Sequence, residues 1–180
     1  MLETERLILR QWQVQDYLPF INMGLDPEVM QYFPDLLTRE ESLQFIDTVK
    51  DIIDQNQWGF WAVVLKQTGE FIGFIGLHHQ PEQFEFSPCV EIGWRLARQY
   101  WGNGYATEGA KAAIVYAFNQ LNLNKIVSFT AEINLPSQSV MKRIGMSKVG
   151  EFNHPKLSSG HDLEKHVLYQ IVNPRLISSV

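Results

Sequence analysis

A predicted strand that runs through a glycine loop directly into a long helix constrains the fold of this chain more than any other segment. The pattern predicts the strand over residues 89–97 and, from a single apolar stripe, the helix over residues 106–121. Gly102 and Gly104 lie between them. The free N–H groups and dipole of a helix start, approached through glycines, suit a bound diphosphate. Glycines that only shape a turn are the alternative interpretation.

Two familiar phosphate-binding loops fit this segment poorly. A Walker loop requires Gly-Lys-Ser/Thr before the helix, whereas Gly104 is followed by Tyr105 and Ala106. A dinucleotide fingerprint requires a third glycine in a βαβ unit, but position 107 is Thr107 and the strand follows a hairpin. A diphosphate held here would therefore be held by a loop of another type.

The remaining patterns predict alternating groups of strands and helices. Strands are predicted over residues 6–12, 58–66, 70–78, 89–97, 124–132, 146–151 and 166–172. Helices are predicted over residues 16–30 (a short pair), from the capping box at Thr38 and Glu41 to about residue 55, and over residues 106–121 and 136–144. Because the helix over residues 106–121 lies between two strands, one parallel crossover fits within a mixed sheet.

Length and charge narrow the class of protein further. The 180 residues fit one domain over residues 1–180. With 15 basic and 20 acidic residues the chain lacks the basic footprint of a nucleic-acid-binding protein, and no apolar run has membrane-spanning length. The lone Cys89 excludes an intrachain disulfide and we expect it to be an inert thiol. We expect a cytoplasmic protein that binds neither nucleic acid nor membrane.

Several motifs together resemble one family. Residues 99–104 read Gln-Tyr-Trp-Gly-Asn-Gly and match the Gln/Arg-x-x-Gly-x-Gly/Ala loop of the GNAT N-acetyltransferases. Residues 91–94 and 105–108 resemble the strand and helix that flank this loop, and residues 134–146 resemble the family's Asn-x-x-Ser segment. Residues 3–10 and 26–30 are similar to the branch that contains ribosomal-protein alanine N-acetyltransferases. The resemblance covers about residues 2–172.

The resemblance implies an α/β (α+β) GNAT fold, in which a mixed, mostly antiparallel sheet of about seven strands is flanked by helices. It also implies that acetyl-CoA, as co-substrate, lies where the strands over residues 89–97 and 124–132 splay apart. Either Arg143 or Lys142 is expected to reach the nucleotide phosphates of acetyl-CoA. The alternative for both residues is that they lie on a solvated helix face. The residues expected to bind the co-substrate are Trp94, Arg95, Leu96, Gln99, Tyr100, Trp101, Gly102, Asn103, Gly104, Tyr105, Ala106, Asn134 and Arg143.

Glu91 and Ser137 are the candidate catalytic residues. An attacking amine must be neutral, so a base helps, and some GNAT enzymes carry a glutamate at the position of Glu91. The alternative is a carboxylate that only holds a loop or the substrate cation. Ser137 matches the family serine near the CoA sulfur and could protonate the departing thiolate, whereas its alternative role is helix capping. The five histidines lack ligand spacing, so no metal site is predicted.

The sequence thus predicts an enzyme that moves an acetyl group from acetyl-CoA to a primary amine by direct attack. The branch resemblance favours a protein N-terminal α-amine of the ribosomal-protein type. A small amine, such as a polyamine or an antibiotic, is the alternative acceptor, and a non-catalytic acyl-CoA sensor is the alternative of another class. Either a monomer or a homodimer is compatible with the sequence.

Overall fold

The computed structural model describes residues 1–81 and 83–177, which form one eight-stranded sheet flanked by helices. The strands are β1 (Leu2–Glu3), β2 (Leu7–Arg10), β3 (Phe60–Leu65), β4 (Phe71–Gln80), β5 (Cys89–Leu96), β6 (Lys125–Ala131), β7 (Ser147–Asn153) and β8 (Lys165–Val172). The helices are α1 (Val14–Gly24), α2 (Arg39–Asn56), α3 (Tyr105–Asn119), α4 (Leu135–Arg143) and α5 (Pro174–Ile177).

The sheet has the strand order β1-β2-β3-β4-β5-β6-β8-β7. Each neighbouring pair is antiparallel except β5 and β6, which α3 joins as the predicted parallel crossover. The prediction of a mixed, mostly antiparallel sheet is therefore confirmed. The strand that the sequence did not predict is β1, which pairs Leu2 with Leu9. Two residues are too few to show an alternating pattern.

The strands β5 and β6 splay apart in the middle of the sheet. Within the described residues they are in register at one pair, Glu91 with Val127. The Ser128 hydroxyl then donates to the Ile92 carbonyl oxygen at 2.9 Å, so a side chain bridges the strands where they begin to separate. Beyond Ile92, one edge of β5 faces a gap.

Alternation along β4 and β5 sends side chains to two packed faces. On one face, α3 approaches so closely that a Cβ on Gly109 would lie 2.5 Å from Ile75 Cδ1. On the other face, the Phe74 ring lies 6.2 Å from the Phe20 ring of α1 and 5.3 Å from the Phe45 ring of α2. The helices α1 and α2 therefore cover the face opposite α3.

The predicted helix pair over residues 16–30 is wrong in its second half. Helix α1 ends at Gly24, and the chain continues in turns. There the Glu28 N–H donates to Asp26 Oδ1 at 2.9 Å and the Phe33 N–H donates to the Met30 carbonyl oxygen at 2.8 Å. An aspartate that bonds the backbone two residues ahead favours a turn over a helix.

The other predicted elements have the predicted type, with ends that differ by a few residues. The capping box of α2 is confirmed: the Glu41 N–H donates to Thr38 Oγ1 at 3.1 Å, and the Thr38 N–H donates to Glu41 Oε2 at 2.8 Å. Within the described part of the chain, the helices are all too short or too polar to span a bilayer.

Candidate active site

The loop between β5 and α3 presents unpaired main-chain amides. After a single 3-10 turn at Arg98–Tyr100, Gly102 and Gly104 adopt φ angles of 78° and 80°, a left-handed conformation that favours glycine. A Cβ built on Gly102 would have nothing within 4 Å. Among the described residues, the N–H groups of Gly102, Asn103 and Gly104 find no acceptor. A loop of free amides at the start of a 15-residue helix fits a diphosphate.

Contacts from Arg6, in the turn between β1 and β2, hold this loop in shape. Arg6 Nη1 donates to the Asn103 carbonyl oxygen at 3.0 Å, while Arg6 Nη2 and the Glu108 carboxylate form an ion pair at 2.6 Å. The Asn103 side chain in turn donates to the Tyr100 and Trp101 carbonyl oxygens. This contact was not predicted from the sequence, because Arg6 and Glu108 are 102 residues apart.

The pairing of β5 with β4 determines which main-chain groups of β5 face the gap. Just after β5, the Ala97 N–H donates to the carbonyl oxygen of Ile72 in β4. Since main-chain groups alternate between the two sides of a strand, Trp94 and Leu96 direct theirs toward the gap. The Leu96 carbonyl oxygen already accepts from Trp101 Nε1 at 2.8 Å. The same alternation turns the main chain of Arg95 toward β4 and away from the gap, although we expected Arg95 to bind the co-substrate.

The start of α4 lies across the gap from β5. Asn134 caps this helix, because its Oδ1 accepts from the Ser137 N–H at 3.1 Å while its Nδ2 donates to Thr130 Oγ1 at 2.8 Å. The capping role considered for Ser137 therefore belongs to Asn134. The Ser137 hydroxyl itself has no partner among the described residues. Arg143, in the last turn of α4, is exposed and lines the same cavity.

One cavity of about 1720 Å³ joins all of these features. Gln99 and Asn103 belong to the loop but do not line the cavity, so any role of theirs is through the loop's shape. The residues predicted for the site that do line it are Glu91, Trp94, Arg95, Leu96, Tyr100, Trp101, Gly102, Gly104, Tyr105, Ala106, Asn134, Ser137 and Arg143.

Glu91 lies on the floor of this cavity, where β5 and β6 separate. Its Oε2 accepts a hydrogen bond from Gln80 Nε2 at 2.8 Å. Its Oε1 has no described hydrogen-bond partner and lies 3.8 Å from the position that a Cβ of Gly93 would occupy, a position that the Phe60 ring also approaches. Burial raises the pKa of Glu91 to about 7, against the hydrogen bond from Gln80, which lowers it. Such a group gains and loses its proton near neutral pH.

The walls around Glu91 come from both sides of the sheet. Phe33, Phe60, Phe84 and His154 are among the residues that line the cavity there. Helix α2 and strand β4 also line the cavity, through residues such as Phe45 and Phe74. This contribution was not predicted from the sequence, because apolar residues at these positions have the pattern of an ordinary core.

Two histidines complete the aromatic wall. The rings of His154 and His166 lie 4.8 Å apart. Burial is the largest cause that lowers the pKa of each, to about 4 for His154, so both are neutral at neutral pH. Within the described ranges, no three His, Cys, Asp or Glu side chains come together to hold a metal ion.

A splayed strand pair, a loop of free amides and a buried carboxylate in one cavity define an acyltransferase that binds its acyl donor between two strands. Comparison with known proteins identifies the family. Residues 6–147 match the family model described as an acetyltransferase (GNAT) domain. The uncharacterized N-acetyltransferase YnaD of Bacillus subtilis is 32% identical over 152 residues, which cover 84% of this chain and 85% of YnaD. The chain belongs to the GNAT family and is an acetyl-CoA-dependent N-acetyltransferase.

Solved structures share this fold over nearly their whole length. A GNAT-family acetyltransferase from Bacillus anthracis superposes with a TM-score of 0.80 at 26% identity, covering 96% of this chain and 98% of that one. A ribosomal-protein-S5-alanine acetyltransferase from Vibrio fischeri has a TM-score of 0.75 at 22% identity, covering 95% of each chain. A spermidine N-acetyltransferase from Vibrio cholerae, in complex with CoA and spermine, has a TM-score of 0.75 at 20% identity, covering 97% and 99%. The last two structures are similar to this chain in fold.

Proposed function

We propose that this N-acetyltransferase acetylates a protein N-terminal α-amine by direct attack of the amine on acetyl-CoA. The observation that carries the proposal is Glu91, a buried carboxyl group with a pKa of about 7 that faces the same cavity as the amide loop. The two acceptor types named for its structural neighbours, a ribosomal protein and spermidine, occur on the same fold. The choice between them therefore depends on the chemistry of the site.

A base with a pKa of about 7 is better matched to an α-amine than to an alkylamine. An N-terminal ammonium group has a pKa of about 7.7–8.0 and a lysine-type ammonium about 10.4. Proton transfer to Glu91 is thus uphill by about one pKa unit for the first and by more than three for the second. Glu91 Oε1 has no described partner and is free to accept this proton, directly or through one water molecule.

The amide loop and the open strand edge are the parts that would bind the co-substrate. Acetyl-CoA supplies the activated acetyl thioester. Gly102 and Gly104 line the cavity, and their unpaired N–H groups can donate to the diphosphate of acetyl-CoA. The main chain of Trp94 and Leu96 can bond the amides of the pantetheine arm in the manner of an added strand. Arg143 can reach the nucleotide phosphates, since it is exposed at the cavity rim.

Two further groups are placed to assist the transfer. The Trp94 N–H faces the gap and can donate to the thioester carbonyl oxygen, where negative charge develops. The Ser137 hydroxyl, which has no described partner, can give its proton to the departing thiolate. No covalent enzyme intermediate is needed. Cys89 does not line the cavity, and burial, with a smaller effect of Glu91, raises the pKa of its thiol, which keeps it protonated.

The experiment that tests the proposal is release of free thiol from acetyl-CoA in the presence of defined acceptors. Peptides with a free N-terminus are compared with the same peptides already acetylated there, with spermidine and with an aminoglycoside. We expect release with the free peptides alone, and mass spectrometry places the acetyl group on the α-amine. Faster release with spermidine would assign the small-amine function, and binding of acetyl-CoA without release from any acceptor would assign a sensor.

A further inference from the structure

Arg95 is a buried cation for which the described part of the chain provides no anionic partner. Its Nε and Nη1 atoms are buried and make no hydrogen bond within the described residues. Its side chain takes part in no ion pair of the described protein. Burial lowers the pKa of Arg95 to about 10, so the guanidinium keeps its charge at neutral pH. A charged group buried without a partner is costly, which makes such a group informative about what binds beside it.

The guanidinium of Arg95 lies over two aromatic rings, while its Nε and Nη1 atoms are shielded from solvent and unpaired among the described residues. The guanidinium carbon lies 4.0 Å from the centre of the Phe33 ring and 5.5 Å from that of the Phe74 ring. Stacking on aromatic rings offsets part of the desolvation of a guanidinium but uses none of its N–H groups. The donors at the edge of a stacked guanidinium match the two oxygens of a carboxylate or a phosphate.

The protein's own carboxylates near this part of the cavity are engaged or distant. Glu28, in the segment that carries Phe33, pairs with Arg98. Glu91 accepts from Gln80 and lies four residues along β5, which corresponds to about 13 Å between Cα atoms. Asp35 also lines the cavity but lies outside salt-bridge distance of Arg95.

The co-substrate is an unsuitable source for this anion. The side chains of Arg95 and Glu91 lie on the face of β5 that α1 and α2 cover. Gly93 lies between them on the same face, and all three residues line the cavity. The edge of β5 that faces the gap belongs to Trp94 and Leu96, and the amide loop lies beyond the end of the strand. An anion that reaches Arg95 therefore enters with the acceptor.

We propose that Arg95 binds an anionic group of the acceptor, so that the enzyme selects amines that carry a carboxylate or phosphate about 10–13 Å from the reacting nitrogen. This inference rests on the proposed function, because it places the amine at Glu91. An extended peptide advances about 3.3 Å per residue, so the anion corresponds to an acidic side chain at the third to fifth residue of an N-terminal peptide. A purely cationic polyamine would leave Arg95 unpaired.

The test uses matched acceptor pairs that differ in one charge. One series consists of peptides with Glu or Gln at each of positions 2 to 5, and phosphoserine replaces Glu at the best position to separate the two anion types. A second series compares 8-aminooctanoate with its amide. We expect a preference in kcat/KM of at least about tenfold for one acidic position, since tenfold corresponds to 1.4 kcal/mol. In R95Q the preference falls to about one, and in R95K it is intermediate because Lys keeps the charge without the fork.

The outcomes separate this inference from the proposed function. Peptides acetylated without regard to charge would overturn the role of Arg95 and leave the proposed function intact. A carboxylate preference seen only for 8-aminooctanoate over its amide would support the role of Arg95 and overturn the proposed function. A loss of CoA affinity in R95Q, measured by calorimetry, would assign the guanidinium to the co-substrate and overturn the inference. If no acceptor releases thiol, the binding of octanedioate to wild type and to R95Q is compared by calorimetry. Equal binding to the two proteins would overturn the inference about Arg95.

Discussion

Replacement of Gly102 by aspartate tests whether the amide loop holds a diphosphate. Gly102 has a φ of 78°, so any other residue there is strained, and a Cβ would project into space with nothing within 4 Å. Gly102→Ala and Gly102→Asp share this backbone strain, about 1–2 kcal/mol. The difference between them is one negative charge. At about 6 Å, two like unit charges repel by roughly 0.7–2.8 kcal/mol for effective dielectric constants between 80 and 20.

Calorimetric titration with CoA measures the effect. We expect Gly102→Asp to bind CoA at least about tenfold more weakly than Gly102→Ala, because a diphosphate carries more than one charge and tenfold corresponds to 1.4 kcal/mol. The difference should shrink at high salt. Gly160→Asp, at an exposed left-handed glycine with a φ of 87°, controls for strain and added charge away from the loop. Equal affinity of the two Gly102 variants would refute the diphosphate assignment.

Two further predictions concern catalysis and stability. Ser137→Ala should lower kcat by about 10²-fold with little change in the KM for acetyl-CoA, because the Ser137 hydroxyl no longer protonates the thiolate. Ser139→Ala is the matched control, since the Ser139 hydroxyl already donates to the Leu135 carbonyl oxygen. Equal rates in the two variants would remove Ser137 from the mechanism. Asp16→Ala should destabilise the fold by about 3–5 kcal/mol in urea unfolding, because the fully buried Asp16 accepts two hydrogen bonds from the guanidinium of Arg10, which would lose its partner. A loss below about 1 kcal/mol would contradict that account.

The fold was predictable from the sequence wherever local signals agree with the tertiary structure. The apolar stripe of α3 and the capping box of α2 each specify an element within a few residues. The segment after α1 shows the limit of such signals. Its apolar residues occur at helical spacing, but the Asp26 side chain favours a turn, and the segment forms a cavity wall instead.

The site was predictable as a motif but not as a geometry. Short sequence motifs are enough to locate Glu91, Ser137 and the glycine loop, because each of them lies within one continuous segment of the chain. The contact of Arg6 with Glu108 and the isolation of Arg95 depend on residues far apart in the chain. The main-chain direction of Arg95 depends on the pairing of β5 with β4, which a single sequence does not specify.

The pH dependence of acetyl transfer, compared between wild type and Glu91→Gln, tests the central claim most directly. Glu91 acts as a base in its deprotonated form, so kcat/KM of the wild type should rise with an apparent pKa near 7. In Glu91→Gln the rise should move to the pKa of the free acceptor amine, about 8 for an N-terminus. The ratio of wild-type to variant rates should be largest below pH 7 and should fall above it, whereas the exposed control Glu151→Gln follows the wild type. A constant ratio across this range would contradict the role of Glu91 as the base.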